Sequence, residues 1–184
     1  MRGRTPVLVA AGGLGLLLLV ASSSRAEARV STPRAPDREP DRGPHAPLPG
    51  RAQAGSPYGW RTDPITKELA FHRGLDIPVP IGTPVFAPWS GWVVRVDREG
   101  VGRGVTNGNA VFVRANGYLW AFLHLSEVRV QSDTKVQKGQ VLGRSGQTGR
   151  ATGPHLHLQV YDPSGNLVDP LTLYPSATFA RRGA

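Results

Sequence analysis

Two histidines separated by one leucine, His155-Leu156-His157, offer the clearest chemistry in this 184-residue chain. In an extended strand, residues two apart point to the same side. Both imidazoles would then face one way, with Leu156, Leu158 and Val160 facing the other way into a core. Upstream, His72 and Asp76 are separated by an even offset that puts them on one face of a strand or a helix alike. Two histidines and one carboxylate are a common ligand set for a catalytic zinc ion, leaving a fourth position for water. One histidine of the 155/157 pair is then spare, and a spare imidazole beside a metal suggests proton transfer.

Four of the five histidines, at 72, 124, 155 and 157, lie after the Pro-rich segment, and they cluster near strand ends and glycine-rich turns. That concentration, with a partner acid, predicts a metal site. His124 is expected on the face it shares with Tyr118, Trp120 and Phe122, a plausible aromatic-lined groove. Leu119, Ala121, Leu123 and Leu125 are expected to face the core. His45 receives no function. No His-Glu-x-x-His helix and no Gly-x-Ser-x-Gly turn occurs, so a helical zinc protease and a serine hydrolase are excluded.

The elements that must position these residues read as β-structure. Short apolar runs such as Val93–Val96 and Ala110–Val113 are broken every few residues by Gly, Pro or Asn. Asn116-Gly117, between Ala110–Ala115 and Tyr118–His124, is a strong two-residue hairpin signal. No sustained 3.6-residue apolar period follows the N-terminal segment, so helix content should be low. The expectation is a mostly antiparallel β domain over residues 55–175, with a loose tail at 176–184.

The N-terminus reads as a processing segment. Arg2 and Arg4 precede an apolar run from Val7 to Val20, and Ala26-Glu27-Ala28 supplies a cleavage pattern. Residues 1–28 are therefore read as a signal peptide rather than an anchor, since a spanning helix wants ~20 apolar residues. Residues 29–54 are expected to be a Pro-rich, disordered linker. The formal charge is +9; removing residues 1–28 takes away Arg2, Arg4, Arg25 and Glu27, leaving 19 basic against 12 acidic residues, or +7. Such a chain is drawn to anionic surfaces, but its scattered bases do not suit nucleic-acid recognition. With no cysteine, disulfides and cysteine lipidation are excluded.

The chain resembles the LytM/lysostaphin family of zinc metalloendopeptidases, which cut peptide cross-links in peptidoglycan. The likeness runs from about Tyr58 to Pro170. It includes Gly59-Trp60-Arg61-Thr62-Asp63-Pro64-Ile65, Phe71-His72-Arg73-Gly74-Leu75-Asp76, Phe122-Leu123-His124-Leu125-Ser126 and Thr152-Gly153-Pro154-His155-Leu156-His157. The resemblance implies a zinc endopeptidase acting on peptidoglycan with one zinc ion. It implies His72, Asp76 and His157 as the ligands, His155 as general base, and His124 as a second catalytic residue that donates, protonated, to the oxyanion. Asn109 matches a frequent asparagine near the groove and is carried as a substrate-binding candidate. Gln159 departs from the pattern, standing where many members have Glu. An exported monomer is expected, in the extracellular space, cell wall or periplasm, without stable membrane insertion after cleavage. The alternative is a non-catalytic relative acting as a wall-binding regulator of other hydrolases.

Two further segments, Gly82-Thr83-Pro84-Val85-Phe86-Ala87 and Lys138-Gly139-Gln140-Val141-Leu142-Gly143, are similar to the repeated hammerhead pattern of lipoyl and biotinyl carriers. No lysine tips the 116–117 hairpin, so a carrier is disfavoured. The shared pattern still points to a compact β barrel-sandwich of the duplicated hybrid motif type, with a groove and little helix. Arg98 to Gly108 is the stretch most suited to setting specificity.

Overall fold

Among the described residues, short, β-branched segments bounded by turn formers yield fourteen strands and almost no helix. A computed structural model describes residues 43–180, all within one compact unit. In chain order the strands are β1 (Ala52–Gln53), β2 (Gly59–Thr62), β3 (Leu69–His72), β4 (Leu75–Pro78), β5 (Pro84–Phe86), β6 (Gly91–Asp97) and β7 (Asn109–Ala115). They continue with β8 (Tyr118–Leu125), β9 (Glu127–Val128), β10 (Thr134–Val136), β11 (Val141–Arg144), β12 (His155–Tyr161), β13 (Leu167–Val168) and β14 (Phe179–Ala180). One helical turn, α1 (Gly104–Asn107), lies between β6 and β7.

The main sheet runs β10-β6-β7-β8-β12-β13, with β4 also pairing β12 along its first half; every pairing in it is antiparallel. A three-stranded sheet, β5-β11-β9, packs with it around one core that includes Leu75, Val93, Trp120, Phe122, Leu142 and Leu156. The expected β-rich, antiparallel, helix-poor fold is what forms, as two sheets over a shared core. The 116–117 hairpin also forms, because Asn116 and Gly117 both tolerate the positive φ (48° and 83°) that its turn requires.

The opposite face of the main sheet is the one that matters for function. Ala110, Phe112, Ala121 and Leu123 form a small apolar floor there, separate from the core. The β2–β3 hairpin stands beside this floor and, with the loops after β6 and β11, walls a groove of about 590 Å³.

The expected boundaries need correction at both ends. Residues 43–54, assigned to a disordered linker, pack on the domain: Leu48 is buried in the core and Phe86 N–H donates to the Pro47 carbonyl at 2.9 Å. Ala52 and Gln53 pair in parallel with Phe179 and Ala180, so the first residues of the expected loose tail are also part of the fold. Buried Leu48 and Phe179 anchor these segments despite their proline content. The expected signal segment, the linker before residue 43 and the tail after 180 lie outside the described residues. Among the described residues no helix is long and apolar enough to cross a membrane.

Candidate functional site

The alternation along β12 divides its side chains as expected. Leu156, Leu158 and Val160 are in the core, whereas His155, His157, Gln159 and Tyr161 line the groove. Register then supplies partners across the sheet, with Asp76 of β4 on one side of His157 and Leu123 of β8 on the other.

His72 and Asp76 do not share one strand, as their spacing had suggested. His72 ends β3 and Asp76 sits in β4, with Arg73-Gly74 turning the chain between them. They meet by convergence of two strands, and the turn needs glycine. A Cβ on Gly74 would collide with the Leu158 carbonyl oxygen and lie 2.7 Å from His157 Nε2.

Three donor atoms converge at this point. His157 Nδ1 is 2.7 Å from Asp76 Oδ1, while His72 Nε2 is 3.2 Å from both. A tetrahedral zinc with bonds of ~2.0–2.1 Å wants donors about 3.3 Å apart, so the cluster is compatible with a metal site. The far nitrogens support that use. His72 Nδ1–H donates to the Pro57 carbonyl (2.7 Å), and His157 Nε2–H points to Gln159 Oε1 (3.4 Å). Each far nitrogen thus has an acceptor for its proton, so either ring can turn a lone pair inward to a bound ion. Gln159 in turn donates to the Tyr161 hydroxyl.

Asp76 is ionised in this setting. Burial works to raise its pKa, but hydrogen bonds from His157 and His72 outweigh it and hold the carboxyl well below the usual range. Its second oxygen, Oδ2, faces Arg61 Nη2 at 3.5 Å.

His124 reaches the same groove by a different route. Between the pairs Asn109–Leu125 and Val111–Phe122 the register slips, so Ala110 opposes both Leu123 and His124. His124 takes the left-handed conformation, with φ 62°. This bulge corrects the expected faces: Trp120 and Phe122 point into the core, as does Leu125 beyond the bulge, while Leu123 and His124 both face the groove. His124 Nδ1–H donates to the Thr148 carbonyl at 2.8 Å, and His155 Nδ1–H to the Gly153 carbonyl at 2.8 Å. The two rings lie 4.8 Å apart, and His155 Nε2 is 3.5 Å from Asp76 Oδ1.

Burial, with the neighbouring His157, lowers the His124 pKa to about 4. Its resting imidazole is therefore neutral, and the protonated form expected to donate to an oxyanion has to be reached during the reaction. A second grouping, His124, His155 and His157, also brings three nitrogens together but includes no carboxylate.

Asn109 is not on the groove wall. Its amide accepts from Glu99 N–H (3.1 Å) and donates to the Leu125 carbonyl (3.1 Å), pinning the strands beside the bulge. Three residues in the site had been given no role. Thr148 holds His124 through its carbonyl and binds both Asn109 N–H and the Leu125 carbonyl through its hydroxyl. Arg61 was visible in the Gly59–Ile65 motif, and antiparallel pairing of β2 with β3 puts it on the His72 face. Arg150 reaches across the groove mouth to Asp63 of the β2–β3 turn at 3.2 Å.

This fold and site define a β-sheet protein with a metal-ready histidine–aspartate cluster in an open groove. Residues 70–170, more than half of the sequence, match Peptidase family M23, and the chain belongs to that family. It is 43% identical over 101 residues to the peptidoglycan DD-endopeptidase ShyA of Vibrio cholerae, a match covering 54% of this chain and 22% of ShyA. Among solved structures, a zinc-containing peptidase from Vibrio cholerae superposes with a TM-score of 0.60 at 32% identity, over 72% of this chain and 39% of that one. The catalytic domain of lysostaphin from Staphylococcus simulans does so with a TM-score of 0.56 at 31% identity, over 66% of this chain and 90% of that domain. The matches span only 22–26% of the length of the first curated relatives.

Proposed function

We propose that this chain is a zinc-dependent endopeptidase that hydrolyses peptide cross-links of bacterial peptidoglycan. The single observation that carries the reading is the convergence of His72 Nε2, Asp76 Oδ1 and His157 Nδ1, with the imidazoles of His124 and His155 turned toward the same space. The names of the relatives support the substrate, since ShyA is a peptidoglycan DD-endopeptidase.

His72, Asp76 and His157 would hold one zinc ion. When bound, the ion supplies a water of lowered pKa and polarises the scissile carbonyl. His155 has its Nδ1–H committed to Gly153, so Nε2 carries a free lone pair into the groove. That nitrogen is suited to take the proton of the attacking water and return it to the leaving amine. His124, with Nδ1–H committed to Thr148, turns Nε2 to the open groove; a proton taken there from solvent is the one it would donate to the negative charge that builds on the substrate. Arg61 balances the outer oxygen of Asp76 and keeps the carboxylate facing the cluster.

Peptidoglycan lies outside the cytoplasmic membrane, so the protein acts after export, in the periplasm, cell wall or medium, with residues 1–28 as the removed signal and the mature chain as a monomer. The regulator reading has no missing ligand or filled groove to favour it. Digestion of purified sacculi followed by mass spectrometry, with and without a chelator, tests the proposal. New stem-peptide ends that disappear on chelation are expected. An intact cross-link profile in both arms would overturn it.

A further inference from the structure

Cross-strand register orders the groove floor into rows. Asp76, His157 and Leu123 form the first. Two residues further along β12 come Gln159, Ala121, Phe112 and Arg95. Two further still come Tyr161, Leu119 and Arg114. At ~3.3 Å per residue, the last row lies about 13 Å from the metal cluster. Beyond the first groove, and sharing Arg95, Arg103, Phe112 and Tyr161 with it, opens a second cavity of about 320 Å³ that ends at Arg114.

The charge in this second cavity is one-sided. A slip in register between Val93 and Arg95 brings Arg95 opposite Phe112, and its guanidinium lies 3.5 Å from the centre of the Phe112 ring. Asp97 holds it from the side at 3.1 Å. Arg103 and Arg114 are exposed and form no ion pair among the described residues. The one acid of the cavity, Asp162, is consumed by its own turn, accepting from Ser164 N–H, Asn166 N–H and Asn166 Nδ2. A fixed guanidinium flanked by two uncommitted ones is a receptor for a carboxylate, which a guanidinium grips with two parallel hydrogen bonds.

We propose that Arg95, Arg103 and Arg114 form a carboxylate subsite for the substrate peptide, with the rows of Arg95 and Arg114 about 7 and 13 Å along the groove from the His72–Asp76–His157 cluster. The proposal deepens the endopeptidase reading and rests on it. Those distances correspond to roughly two to four residues of extended chain or one long branch. The substrate is therefore a cross-linked peptide with free carboxylates on its stem, in preference to a polyglycine bridge, which carries no charge to meet three arginines.

The test compares wild type with the Arg103→Ala/Arg114→Ala double variant on two soluble cross-linked peptide dimers, one with free stem carboxylates and one with them amidated. Both replaced residues are exposed, so the fold should survive. Wild type should show the lower KM for the free-carboxylate dimer. The double variant should raise that KM about tenfold with kcat nearly unchanged, and should treat the two dimers alike. Lys135→Ala, on β10 away from the groove, serves as the charge control and should change nothing. Equal losses on both dimers, or no change on either, would overturn the subsite. If wild type cleaves neither dimer, the endopeptidase reading fails, and calorimetric binding to His155→Ala decides the subsite. A preference for the free dimer that the arginine substitutions abolish supports it, and equal binding of both dimers rejects it.

Discussion

Strands β8 and β12 are neighbours that each carry histidine into the groove, but by different means. On β12 the ordinary alternation of an unbroken ladder suffices: His155 and His157 face the groove because Leu156 and Leu158 face the core. On β8 the ladder breaks, and His124 arrives through a bulge with φ 62°, tied to Thr148 on a distant loop. The first arrangement is fixed by the burial of the whole strand. The second stores backbone strain of order 1–2 kcal/mol and is maintained by a few side-chain contacts. Substitutions that displace the ladder's backbone should therefore cost metal and fold together, and substitutions on the bulge should separate activity from both.

The largest effect is expected for Gly74→Ala, which presses on the β12 ladder from the turn before β4. The added methyl group meets the Leu158 carbonyl and the His157 ring, so the variant should lose metal and activity and about 1–3 kcal/mol of stability. Metal analysis alongside urea unfolding checks this; a stable, metal-replete variant would show that the turn can yield.

His124 isolates the bulge. His124→Gly should lower peptidoglycan cleavage by ~10²–10³-fold while metal content and melting temperature hold or rise, because glycine accepts the left-handed conformation without strain. His124→Val should lose similar activity and, in addition, about 1–2 kcal/mol of stability. Equal melting temperatures for the two variants would mean that the bulge is not strained.

A pH effect should follow from the same residue in the chelated protein. The folded pKa of His124, about 4, lies below its ordinary 6.5. Above pH 6.5 neither the folded nor the unfolded chain takes a proton there, and the contribution is flat. As the pH falls from 6.5 toward 4 the unfolded chain binds a proton that the folded one refuses, so up to roughly 3 kcal/mol is lost. The loss from Asp76, whose folded pKa is depressed, begins only below its ordinary 3.8. Urea midpoints at pH 7 and pH 4.5 should thus differ more for wild type than for His124→Gln. Parallel shifts would contradict the assignment.

The smallest change is expected at the ladder's edge. Gln159→Leu removes the acceptor for His157 Nε2–H and should weaken metal binding about tenfold with the fold intact. Competition with a chromogenic chelator reads this out, and unchanged affinity would mean that the 3.4 Å contact does not orient the ring.

The same contrast explains what the sequence made legible. Period-two alternation exposed the two faces of β12, and Asn116-Gly117 marked the hairpin, because both are local patterns with one physical solution. His124 was expected in the groove and lies there, but the faces of Trp120, Phe122 and Leu123 were inverted, because a bulge shifts parity without any glycine or proline to announce it. His72 and Asp76 were grouped correctly for an incorrect reason, since their meeting depends on two strands converging. Residues 43–54 looked unable to fold because composition does not reveal that Leu48 has a socket waiting in the core. The role of Asn109 was equally hidden: its neighbours Glu99 and Leu125 come together only through the sheet.

The division of labour within His155-Leu156-His157 is the central claim, and metal content measured beside cleavage in His155→Ala and His157→Ala tests it most directly. The account predicts that His155→Ala retains about one zinc per chain yet cleaves no cross-links, whereas His157→Ala loses the metal. Full cleavage by metal-loaded His155→Ala, or full zinc occupancy in His157→Ala, would contradict it.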